Sequence, residues 1–128
     1  MAEMSNYLEN ALINVTLRNT AYTAPTTVYL GLYTTDPTDA DTGTEVTGNA
    51  YVRQAITFGA PSNGVSTNSA AIEFPQATGS WGTVAYIGIR DALTTGNLLY
   101  HTPLDASKTI ATGDVFRLAI GSLSVTLA

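Results

Sequence analysis

The chain changes its hydrophobic period once. From Ser5 to about Arg18 apolar residues recur every three or four positions; from Thr26 onward they alternate, with turn residues at intervals of about 8–12 positions. Such a chain has one helix to dock and a series of short strands to pair. A parallel sheet needs helices between its strands, and none is written here. The pattern therefore predicts a mainly β protein: an antiparallel β-sandwich or barrel, jelly-roll-like, of about seven or eight strands with one N-terminal helix.

Ser5 or Asn6 can cap that helix, and Asn6 with Glu9 three residues on resembles a capping box. Tyr7, Leu8, Ala11, Leu12 and Val15 fall on one face, with Leu17 to its side. The helix should end near Asn19, and Pro25 prevents its continuation. A helix this short must dock to be stable, on the chain's own sheet or on a neighbouring subunit. Tyr7, Leu8, Ala11, Leu12 and Val15 are therefore candidate subunit contacts.

Strands are expected at Thr26–Thr34, Ala50–Phe58, Ser69–Phe74, Trp81–Asp91, Leu98–Thr102 (stopped by Pro103), Val115–Ile120 and Ser122–Leu127, with a possible short one around Ile110. The Asn63-Gly64 pair is a strong turn signal. The segment Thr35–Asn49 is polar, opens on Asp36-Pro37, and is long for a simple connection. Its acids Asp36, Asp39, Asp41 and Glu45 are candidate loop contacts. The organisation expected is a single β domain over residues 1–128, with a helical arm at 1–20 and a β body at 26–128.

Composition narrows the function. Only 5 Lys+Arg and 10 Asp+Glu occur in 128 residues, with one His and no Cys. Without Cys there is neither a disulfide framework nor a thiolate metal site. A net charge of −5 argues against a nucleic-acid backbone as partner. No apolar stretch approaches the length of a membrane span, and no basic region precedes an apolar run, so neither a membrane role nor a signal peptide is expected.

The Asp-rich loop offers carboxylates and hydroxyls to a calcium ion, but its spacing does not match an EF-hand, and it reads as a solvated surface loop. His101, the one imidazole, has no nucleophile elbow to serve and reads as a partly buried strand-end residue. No pair of acids is singled out for glycoside cleavage. Tyr22, Tyr29, Tyr33, Tyr51, Tyr86, Tyr100 and Trp81 suit a core and subunit contacts, or else a sugar-stacking face. The expectation is no catalytic residue, no metal, no cofactor and no enzyme activity.

The strings SNYLEN at Ser5–Asn10, TAYTAP at Thr20–Pro25, TVYLGLY at Thr27–Tyr33, TDPTD at Thr35–Asp39 and GTEVTG at Gly43–Gly48 continue into YVRQAITF at Tyr51–Phe58, SWGTV at Ser80–Val84, IGIRD at Ile87–Asp91, GNLLY at Gly96–Tyr100 and SLSVTL at Ser122–Leu127. In this order they resemble a family of small tailed-bacteriophage virion proteins usually labelled phage tail fibre proteins. The resemblance spans essentially the whole chain and implies no catalytic or metal-binding residue. It implies a virion protein, assembled in the bacterial host cytoplasm, whose partners are other virion proteins of the tail or the major capsid protein. A homo-oligomer is expected, and a trimer is the order the resemblance suggests. The leading reading is a non-enzymatic tail or tail-fibre-associated subunit acting through subunit contacts. The alternatives are a capsid decoration (cement) protein and a host receptor- or carbohydrate-binding module, for which the host surface would be the partner.

Overall fold

The computed structural model describes residues 2–127. The described chain is mainly β, with antiparallel ladders throughout and one helix near the N-terminus. In chain order the elements are β1 (Glu3–Met4), α1 (Asn6–Leu17), β2 (Val28–Tyr33), β3 (Gln54–Ile56), β4 (Val65–Thr67), β5 (Ile72–Glu73), β6 (Gly82–Arg90), β7 (Leu98–Ile110), β8 (Arg117–Leu118) and β9 (Ser124–Thr126). Five strands form one sheet in the order β1-β7-β6-β2-β3, while β4 pairs with β9 and β5 with β8.

Alternation along β2 and β6, reset in β6 by the register shift at Val84/Tyr86, gives the large sheet two unlike faces. Leu30 and Leu32 from β2 and Val84, Ile87 and Ile89 from β6 point into one apolar cluster. Ile72, Phe74, Phe116, Leu123 and Val125 join it from the two small ladders and their flanks, which cover this inner face. Tyr51, Phe74, Trp81 and Phe116 pack ring against ring within it. Asn68 is 1% exposed at the border of the small ladders, yet it is fully used. Its side-chain amide donates to the Ala70 and Ala119 carbonyls and its oxygen accepts from the Leu123 N–H, each at 2.9 Å.

The opposite, outer face carries Gly31 against Gly88 across the β2–β6 ladder. These two glycines leave a hollow. A Cβ on Gly88 would stand 2.8 Å from both Leu98 and the Tyr33 ring, and one on Gly31 would stand 3.0 Å from a Glu45 carboxylate oxygen. A Cβ at Gly88 would force Leu98 or the Tyr33 ring to shift, and one at Gly31 would push the Glu45 carboxylate back by a few tenths of an ångström.

Several strand limits differ from the sequence reading. Pro103 does not stop its strand: β7 runs on to Ile110. Pro103 lies past the two residues that β1 pairs and beside the register shift at Val84/Tyr86, the kind of edge and bulge position where a strand tolerates proline. The segment 50–58 contributes only Gln54–Ile56, because Asn49 and Ala50 take left-handed backbone and Tyr51 hydrogen-bonds back to Gly48. Strand β4 has no apolar alternation to announce it; Val65 is exposed and its neighbours are Ser and Thr. It follows the Asn63-Gly64 turn, whose two positive φ values of 53° and 79° fit the type I′ turn that such a pair favours.

Candidate functional site: the helix face and the acidic loop

Ser5 caps α1 with extended backbone, its hydroxyl accepting from the Leu8 N–H at 3.2 Å. The same hydroxyl donates to the Leu98 carbonyl, and the Ser5 N–H donates to the Leu99 carbonyl at 2.9 Å. The helix start is therefore tied to β7 by its cap. Beyond that, the docking is slight. Of the candidate contact residues Leu8 is buried, Ala11 and Leu12 are half-buried, and Tyr7 and Val15 are exposed at 41% and 40%. Ile13 and Leu17, which lie off the predicted face, are exposed at 52% and 78%.

The loop 35–49 folds back over the hollow on the outer face. Its two ends lie against β2: Thr34 N–H donates to Thr44 O and Val46 N–H to Leu32 O, both at 2.9 Å. Pro37 and Val46 are buried as its apolar anchors. Thr38 and Asp41 sit in left-handed backbone at the bends, and Asp36 accepts from the Thr38 N–H at 2.9 Å.

The loop acids are not simply solvated, as their spacing in sequence suggested. Arg90 forms a two-pronged pair with Asp41 at 2.7 and 2.8 Å and also donates to the Tyr33 hydroxyl at 3.0 Å. Arg53 forms a second such pair with Glu45, at 2.8 Å on each prong. Tyr51 donates to the same carboxylate at 2.6 Å and accepts from the Leu32 N–H. Both guanidinium groups continue to carbonyls of the turn 92–96, so one layer binds the loop, the sheet and that turn together. His101 Nε2 lies 2.8 Å from Asp39 Oδ1.

Burial alone would raise the Glu45 carboxyl, but hydrogen bonds from Arg53 and Tyr51 and the two positive charges outweigh it and hold the group below its ordinary value. Burial, and then the negative charge of Glu45, push the Tyr51 phenol far up. Burial would lower Arg90, yet Asp41 and Tyr33 raise it further above an already high value. Among the described residues no fully buried side-chain nitrogen or oxygen lacks a partner. The layer is satisfied as it stands, which is the condition for burying charge without a large penalty.

Sequence reasoning singled out the loop acids but neither Arg53 nor Arg90, and it placed Tyr33 and Tyr51 with the core, contact or sugar-stacking aromatics; together these four hold Asp41 and Glu45. One signal was available. An arginine closing the apolar string Ile87-Gly88-Ile89 in a charge-poor chain must find a carboxylate once the strand is buried. Trp81 is 4% exposed and donates its indole N–H to the Asn49 carbonyl at 2.9 Å, so it is core and not a sugar-stacking platform. Among the described residues no helix is long and apolar enough to cross a membrane.

These features define a small antiparallel β protein with a lightly docked helix that exposes Tyr7, Ile13, Val15 and Leu17 and with a loop pinned by ion pairs. The family model described as Podophage GP4 fiber I protein gp80 matches residues 3–126, and the chain belongs to that family. Its membership supports a structural role in the virion, in company with other virion components. No curated protein matches the chain.

Proposed function

We propose that this chain is a non-enzymatic structural subunit of the tail, or of a tail-associated fibre, that works through contacts made by the outer surface of α1. The observation that carries the reading is the exposure of Tyr7, Ile13, Val15 and Leu17 on one 12-residue helix. Other exposed apolar side chains, Ile120 and Leu93 among them, are spread over strands and turns, whereas α1 gathers four on one short element that a partner subunit would cover. The loop 35–49, held rigid by its ion pairs, supplies a second surface beside it.

The test is a phage carrying the Ile13→Ser/Leu17→Ser variant, with cryo-electron microscopy of intact particles. We expect the purified variant to keep its melting temperature while its density is lost from the tail. Wild-type density on the capsid lattice would replace the tail assignment with capsid decoration. Full incorporation of the variant would remove α1 as the contact.

A further inference from the structure

We propose that Glu3, Asp39 and His101 form a binding site for one first-row divalent cation, with Zn²⁺ the best chemical fit, that fastens β1 and the acidic loop to β7. Three separate segments converge here. Glu3 on β1 is the ladder partner of His101 on β7, and Asp39 arrives from the loop. One ligand atom from each lies within 4.8 Å of the other two. His101 Nε2 stands 2.8 Å from Asp39 Oδ1 and 3.9 Å from Glu3 Oε2.

Backbone hydrogen bonds preset this convergence. Ser5 N–H donates to Leu99 O at 2.9 Å, and Asn6 N–H donates to Asp39 O at 2.8 Å. The ligand-bearing residues are thus held by groups that do not themselves ligate.

Carboxylate oxygens surround the imidazole. His101 is 5% exposed, with Asp39 and Glu3 on the Nε2 side and Asp36 Oδ1 3.7 Å from Nδ1. Nε2 hydrogen-bonds Asp39 at 2.8 Å; an ion entering between Asp39 and Glu3 would displace the proton of that bond and take the Nε2 lone pair. Asp36 Oδ1, 3.7 Å from Nδ1, stands where a small shift would let it accept from the far ring nitrogen, the usual way a carboxylate orients a metal-bound histidine.

Bond lengths of about 2.0–2.2 Å to nitrogen and oxygen place neighbouring ligand atoms about 3.3 Å apart around a tetrahedral ion. The separations of 2.8 and 3.9 Å bracket that value, so a cation enters with small side-chain shifts. One nitrogen with two carboxylate oxygens suits zinc and its neighbours; calcium and magnesium favour all-oxygen sets. A cleft of about 450 Å³ lined by Glu3, Glu9 and Asp39 opens beside the site, giving the ion an acidic entrance and room for water ligands.

The test is calorimetric titration of the full chain, freed of metal with chelator, with Zn²⁺ and separately with Mg²⁺, alongside thermal melts. One equivalent of Zn²⁺ should bind and raise the melting temperature, with no response to Mg²⁺. Glu3, 72% exposed and 3.9 Å from His101, makes no hydrogen bond to it, so Glu3→Gln should melt close to wild type in chelator; Asp39→Asn keeps a side-chain oxygen for His101 and should fold with a small loss. Each should weaken Zn²⁺ binding at least tenfold. Absence of binding at 100-fold excess Zn²⁺ (on the order of that needed to saturate a weak site) would overturn the proposal. So would wild-type affinity in both variants, which would mark the bound ion as adventitious.

Discussion

The two faces of the five-stranded sheet are organised on different physical terms. The inner face is closed by aliphatic and aromatic side chains shared with two small ladders. The outer face is closed by a loop whose carboxylates reach Arg53, Arg90 and His101. Apolar burial is roughly proportional to area and has no direction, so many residue combinations would close the inner face. The outer face depends on particular pairs. Each guanidinium fits one carboxylate, and the glycine pair Gly31/Gly88 leaves the room for them. The first arrangement makes the chain collapse; the second fixes where a long polar loop lies.

The largest effect should come from the inner face. Phe116 is 1% exposed, lies edge-on to Phe74 at 5.7 Å, and carries the Lys108 ammonium 5.6 Å above its ring. Phe116→Ala should cost about 3–5 kcal/mol, read by denaturant unfolding. A loss below about 1 kcal/mol would mean that the ladders flanking this core contribute little, and the comparison of faces would collapse.

A smaller effect, with a different signature, is expected on the outer face. Glu45→Gln leaves the buried Arg53 guanidinium without its counter-charge. The cost should be about 2–3 kcal/mol, below the value for a fully buried pair because Glu45 keeps 21% of its side-chain surface exposed. The pH profile separates this from simple packing. Burial raises Glu45, but the Arg53 and Tyr51 bonds bring it below its ordinary 4.5. A depressed carboxyl stabilises the fold fully above the unfolded value, and the contribution is lost as pH falls through the lower folded value. Wild-type stability should therefore drop on acidification below about 4.5, and Glu45→Gln should flatten that drop. An unchanged acid limb in the variant would show that other carboxyls carry it.

The same contrast explains what could be read from sequence. Apolar closure leaves a periodic trace, so the spans of α1, β2 and β6 were legible to within one or two residues, with Ser5 the cap of the two offered; the bulge at Val84/Tyr86, which brings Val84 onto the face of Ile87 and Ile89, left no such trace. Pair-wise closure leaves none. Asp41 and Arg90 are 49 positions apart and Asp39 and His101 are 62, and no spacing rule joins them. The acids therefore looked solvated until the fold set bases beneath them. Strand β4 escaped for a related reason, since an exposed Val65 followed by Ser66 and Thr67 buries too little to show a period.

The helix α1 carries the comparison to its weakest term, because one element holds both kinds of apolar residue. Leu8 is 4% exposed and packs inward, whereas Leu17 is 78% exposed. Leu8→Ala should cost about 2–3 kcal/mol, as a buried leucine does. Leu17→Ser should change stability by less than about 0.5 kcal/mol, since the side chain meets water in both the folded and unfolded chain. Unfolding both variants at two protein concentrations makes the distinction sharp. A loss above about 1 kcal/mol for Leu17→Ser that grows with protein concentration would mean that the wild-type helix is already covered by a second copy in solution. A concentration-independent loss of that size would mean that Leu17 packs within its own chain, and the exposed helix face could no longer serve as the contact surface.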